Sequence, residues 1–143
     1  MPQRRNARQT PSVWISQNFL TGSDAIRRIL DRAGLCGTDR VIEIGPGKGH
    51  ITRALLGRCC SVTAVEIDGR LFSRLRAGFS GEDRLRLIHD DFLRRNLPAH
   101  GEYKVFSNIP FSRTTAILRK LTECSNPPAD AWLVVEKGRR PAL

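Results

Sequence analysis

The residues best suited to chemistry fall in four short clusters. "EIGPGKGH" (43–50) carries glycines at 45, 47 and 49, "VEID" carries Glu66, and "HDDFL" carries Asp90 and Asp91. In "FSNIPF" (106–111) an apolar run stops at an amide, a proline and a second aromatic. Glycines let backbone approach a ligand closely and let the next helix aim its N-terminus at it. A tight turn would need only one of the three. Glu66 closes an apolar run, where a carboxylate can accept from both hydroxyls of a ribose. The bland alternative is a solvated charge at a strand end. Asn108 and Pro110 are turn formers, so the bland reading of the fourth cluster is a strand that simply stops. Each cluster is weak alone, and the fold decides whether they meet.

The elements that must carry them alternate. Ser23 can cap a helix with Ile26, Ile29, Leu30 and Ala33 at helical spacing, ended by Gly34. "RVIEI" (40–44) predicts a buried strand, followed by the glycine loop and a short helix with Ile51, Ala54 and Leu55. "SVTAV" (61–65) is the second strand, and Asp68 can cap a helix carrying Leu71, Leu75 and Phe79. "RLRLIH" (84–89) alternates, which predicts an edge strand. "YKVFS" (103–107) is the fourth, with a helix carrying Ile117, Leu118 and Leu121 behind it, and "AWLVVE" (131–136) is the fifth. Such alternation predicts an α/β fold, a parallel sheet with helices on both faces. Ligands of these sheets sit outside the carboxyl ends of the strands, where all four clusters fall.

A chain of 143 residues fits one domain. Its 24 Lys and Arg against 14 Asp and Glu leave a net charge of +10, which attracts polyanions, nucleic acid being the commonest. The four cysteines show no C-x-x-C spacing and the three histidines are scattered, so neither a metal site nor a disulfide framework is expected. No apolar run is long enough to cross a membrane, and no signal-peptide core is evident, which points to the cytoplasm. The acid-free start reads as a basic arm over residues 1–15, leading into a ligand-binding domain at 16–138 and a tail at 139–143.

A dinucleotide loop reads G-x-G-x-x-G; here the third glycine arrives one residue early and His50 takes its place. G-x-G-x-G after an acidic residue is the pattern of S-adenosylmethionine methyltransferases, whose ligand has no pyrophosphate. That cofactor is favoured over NAD. The chain resembles the Erm family, rRNA adenine-N6 methyltransferases that dimethylate one adenine of 23S rRNA and confer macrolide-lincosamide-streptogramin B resistance. "SQNFL" (16–20), "EIGPGKGHIT" (43–52), "VEID" (65–68), "DFL" (91–93) and "FSNIPF" (106–111) stand in the family's order and spacing. The sister family of small-subunit adenine dimethyltransferases usually has "GQHFL" and "NLPY".

The resemblance implies a Rossmann-like methyltransferase sheet and places Asn18 and Leu20, with Gln17 beside them, near the methionyl end of the cofactor. Gly45 and Gly47 would lie against it, Glu66 would hold the ribose, Asp91 would accept from the adenine amino group, and Ile67 and Phe92 would sandwich the adenine. For those two, core packing reads equally well. Asn108 would border both ligands. The acceptors for the target N6 amine would be the Asn108 side-chain oxygen and the Ile109 carbonyl, on a turn stiffened by Pro110, with Phe111 stacking on a base drawn out of its helix. Arg4, Arg5, Arg8, Arg27, Arg28 and Arg113 are expected on phosphates of ribosomal RNA.

Family members continue through two more strands and a helical domain, whereas here "VVEKGRRPAL" ends the sequence. The expectation is a truncated monomer whose fifth strand exposes an apolar edge through which it can associate. A non-catalytic remnant that binds the cofactor or RNA is the alternative in that case.

Overall fold

In the computed structural model, which describes residues 12–16, 23–59 and 61–136, each apolar run becomes a strand. Six strands form: β1 (Ser12–Ser16), β2 (Arg40–Ile44), β3 (Ser61–Glu66), β4 (Leu85–His89), β5 (Lys104–Pro110) and β6 (Asp130–Glu136). Four helices join them: α1 (Ser23–Ala33), α2 (His50–Leu56), α3 (Gly69–Gly78) and α4 (Phe111–Glu123). Between β4 and β5 the chain makes only a three-residue 3-10 turn, Phe92–Arg94. The sheet order is β1-β6-β5-β2-β3-β4, with every neighbouring pair parallel.

Strands buried on both faces need cover on both. One face carries Val41, Val62, Ala64 and Phe106 against Ile26 and Leu30 of α1, Ile51 and Leu55 of α2, and Leu75 of α3. The other carries Ile44, Val65, Val105 and Ile109 against Ile117 and Leu121 of α4 and against Phe92. Asp68 caps α3 as its position predicts, its carboxylate accepting from the Arg70 and Leu71 N–H groups. Among the described residues, no helix is long and apolar enough to cross a membrane.

Two expectations need correction. The "AWLVVE" strand does not end the sheet: β1 pairs along it from Ser12↔Asp130 to Ser16↔Val134, so β6 has a neighbour on each side. The edges are β1 and β4, and β4 is the strand whose alternation predicts an edge. The strand also begins inside the segment expected to be arm. Ser12–Ser16 sits among basic and polar residues, whose composition reads as an arm and masks the apolar run.

β2 has β3 on one side and β5 on the other, so the chain leaves β2 in one direction and later returns on its other flank. That reversal opens a crevice at the carboxyl ends of β2 and β5, the usual ligand position in such sheets.

Candidate active site

The crevice is built from close backbone contact. Gly45 follows β2 with φ of 68°, and a Cβ there would come 3.2 Å from the Asn108 carbonyl oxygen and 3.6 Å from Ile109 Cγ2. A side chain at 45 would fill the junction between the glycine loop and the end of β5. Gly45 N–H donates to the Val65 carbonyl at 3.0 Å, which ties the loop to β3. Gly47 N–H donates to Glu66 Oε1 and Asp68 N–H to Glu66 Oε2, both at 3.0 Å. Glu66 is 3% exposed, so the solvated strand-end charge is excluded. A carboxylate has about four acceptor positions, and with two on backbone about two are left for a ligand.

Gly49 has a different task. Its φ is 88°, and a Cβ would sit 2.7 Å from Phe79 Cε2 and 3.0 Å from Leu75 Cδ2. The third glycine of the motif is there so that α2 and α3 can pack.

A cavity of about 360 Å³ opens at this edge and gathers Gly45, Gly47, Glu66, Ile67, Asp91, Phe92, Asn108, Ile109, Pro110 and Arg113 from separate segments. Its size falls in the range of small-molecule sites. Phe92 is a buried wall, whereas Ile67 is 48% exposed at the rim. Asp91 uses Oδ1 to cap the 3-10 turn, accepting from Leu93 N–H at 3.0 Å; its Oδ2 takes no hydrogen bond among the described residues. Arg113 Nη1 lies 3.8 Å from Asp91 Oδ1, which places this arginine at the cavity. Arg27 and Arg28 are exposed on α1, on the opposite face of the sheet from α4. Gln17, Asn18, Leu20, Arg4, Arg5 and Arg8 lie outside the described residues.

The "NIPF" end differs from the rest of the crevice. Asn108 Oδ1 is buried without a hydrogen-bond partner, as are Ser107 Oγ and, a turn into α4, Thr114 Oγ1. Leaving a buried polar group unsatisfied costs about 1–3 kcal/mol; of the three, Asn108 is the one that lines the cavity. Ile109 is 4% exposed and its side chain is core, which leaves only its main chain as a candidate to serve a ligand. Phe111, beyond Pro110, is 65% exposed, a large apolar ring held in water at the mouth of the site.

Sequence reasoning passed over Glu43. It is 1% exposed and accepts from the Thr52 hydroxyl. Burial pushes its carboxyl up to about 8; the Thr52 hydrogen bond opposes this and the nearby Glu66 charge adds to it. The signal was available, since a charge inside the apolar run "RVIEI" is anomalous.

A parallel sheet with a glycine loop and an "NIPF" strand end at its switch point is the architecture of a Rossmann-like methyltransferase. The chain belongs to the ribosomal RNA adenine dimethylase family, whose model matches residues 13–140. It is 38% identical over 123 residues to an rRNA adenine N-6-methyltransferase of Lysinibacillus sphaericus, covering 86% of this chain and 50% of that protein. It is equally identical, at 38% over 127 residues, to the ribosomal RNA small subunit methyltransferase A of a Dehalococcoides mccartyi strain, covering 86% of this chain and 44% of the relative. Among solved structures, the 23S rRNA methyltransferase ErmE superposes with a TM-score of 0.73 at 35% identity, over 82% of this chain and 48% of that one. The chain thus spans about half the length of the relatives it matches.

Proposed function

We propose that the crevice holds S-adenosylmethionine and that the chain directs methylation of the N6 amine of an adenine in 23S rRNA, with macrolide-type resistance as the consequence. The observation that carries this reading is Asn108 Oδ1, a buried acceptor with no protein partner, two residues before an exposed proline and three before an exposed aromatic ring. A site that binds a flipped purine through its amino group needs these parts: an acceptor for N–H and a face for stacking. The ring in question is Phe111.

The cavity residues fit the cofactor. Glu66 offers its spare acceptor positions to ribose hydroxyls, Asp91 offers Oδ2 to an adenine amine, and Phe92 and Ile67 flank the base. When bound, S-adenosylmethionine supplies a methyl group on a cationic sulfur. The adenine amine is a poor nucleophile because its lone pair is delocalised into the ring. Asn108 Oδ1 and the Ile109 carbonyl, accepting from its two N–H bonds, favour a pyramidal nitrogen with that lone pair aimed out of the ring plane. Pro110, the last residue of β5 rather than part of the expected turn, stiffens the strand end that holds them, and the site contributes mainly alignment and oriented dipoles. The amine proton can leave to water after transfer, so no side chain is assigned as a base. A ribosomal substrate places the protein in the cytoplasm, and we expect a monomer.

The 38% identity to a small-subunit enzyme supports a second reading, in which the target adenine lies in 16S rRNA. Incubating the chain with methyl-labelled cofactor and each rRNA separately, followed by mass spectrometry of the nucleosides, tests both. N6-methylated adenine from 23S rRNA alone is expected. Label confined to 16S rRNA supports the second reading, and label in neither, from a chain that binds the cofactor, makes it a non-catalytic remnant.

A further inference from the structure

The segment that forms the adenine side of the cavity has little structure of its own. From Asp90 to Ala99 the chain contains a single 3-10 turn, with no helix of its own. Yet Asp91 and Phe92 must be held in place if they are to recognise a ring. The hold comes from one side of α4. Arg113, Ile117 and Lys120 are spaced four and three residues apart and therefore share one helical face. Arg113 reaches Asp91, Ile117 lines the cavity, and Lys120 Nζ donates to the main-chain carbonyls of Phe92 and Arg95. The same ammonium stands 4.8 Å from the centroid of the Phe92 ring.

Lys120 makes no ion pair among the described residues, whereas its neighbour Arg119, 70% exposed, pairs with Glu123. Burial lowers the Lys120 pKa, and the charge of Asp91 opposes that shift. An ammonium drawn partly out of water needs acceptors to replace its hydration, and it finds them in the two carbonyls bracketing the turn. The cation over the ring adds a second restraint on the same residue.

We propose that Lys120 is the positioning residue of the cofactor's adenine subsite. It touches neither ligand; it fixes the Phe92 ring and, through the turn, the Asp91 carboxylate. Because α4 begins at Phe111, one rigid helix then sets both the adenine wall and the ring expected to stack on the RNA base. This inference rests on the cofactor reading above.

The test is titration calorimetry with S-adenosylmethionine on the wild-type chain, Lys120→Met, Lys120→Gln and, as a control, Arg119→Met. Circular dichroism and urea unfolding establish the folded fraction of each. Per folded molecule, Lys120→Met is expected to bind about tenfold or more weaker, in line with losing hydrogen bonds to a charged group. Lys120→Gln keeps an N–H donor and is expected to recover part of that loss, while Arg119→Met binds as wild type. RNA affinity, which does not pass through this turn, is expected to be the same in all four. If Lys120→Met fails to fold, Lys120→Gln decides alone by binding weaker than wild type. Folded Lys120 variants with wild-type affinity, differing only in melting temperature, would overturn the proposal. A wild-type chain that does not bind the cofactor would instead sink the reading beneath it.

Discussion

The two halves of the crevice solve opposite problems. On the β2 side, the glycine loop is closed on itself: Gly45 N–H has the Val65 carbonyl, Gly49 N–H the Pro46 carbonyl, and Gly47 and Asp68 share the Glu66 carboxylate. On the β5 side, Asn108 Oδ1 has no partner, and Phe111 stands in solvent. The first half is a shape held ready by its own hydrogen bonds. The second keeps one polar group on the cavity wall, Asn108 Oδ1, unspent. A change on the loop side should therefore cost stability and binding together, whereas a change at the strand end should cost turnover alone.

The largest expected effect is that of Asn108→Ala. Losing an oriented dipole at the reacting nitrogen should slow single-turnover methyl transfer by about 10²–10³-fold. Urea unfolding should show stability unchanged or higher, because a buried acceptor without a partner has been removed. A loss of stability would mean that the oxygen already serves the fold and that the contrast is wrong.

Next is Glu43, the loop side's own electrostatic burden. Its folded carboxyl sits at about 8 against an ordinary value of 4.5. Between those values the native state keeps a proton that the unfolded chain gives up. The contribution is therefore full below about pH 4.5 and lost as pH rises towards 8, on the order of a few kcal/mol. Glu43→Gln keeps an acceptor for Thr52 and should remove that decline. Parallel unfolding curves at pH 5, 6.5 and 8 would refute the shift if wild type and variant fell together.

Glu66→Ala should weaken cofactor binding by about 1.5–3 kcal/mol, as expected for a charged acceptor of two hydroxyls. It should also lower stability, since two backbone N–H groups lose their acceptor. Unchanged affinity in calorimetry would remove Glu66 from the site. The smallest effect belongs to Phe111→Tyr, which keeps the ring and should stay within about 1 kcal/mol in kcat/KM. Phe111→Ala loses a stacking face worth about 1–3 kcal/mol. Equal kinetics for the two variants would argue against stacking.

Much of this was legible in the sequence. The strands β2 to β6 announce themselves as apolar runs, and the helices as periodic apolar positions between caps. The site edge was legible for the same reason, because alternation of strand and helix puts every strand end with a motif on one side. β1 was not, since its apolar residues sit in a basic and polar stretch that reads as an arm. Nor could spacing show that Gly49 serves Phe79 rather than a ligand, or that Lys120 reaches the carbonyls of Phe92 and Arg95. Those are contacts between distant segments, fixed by packing. The resemblance led to Asn108, but only the structure shows its oxygen buried and without a partner.

The central claim is that this crevice is an S-adenosylmethionine site. Titration calorimetry of the folded wild-type chain tests it most directly, with NAD as the rival ligand. Saturable one-to-one binding of S-adenosylmethionine, and no heat with NAD, is the predicted result. A folded chain that binds NAD, or neither ligand, would contradict it.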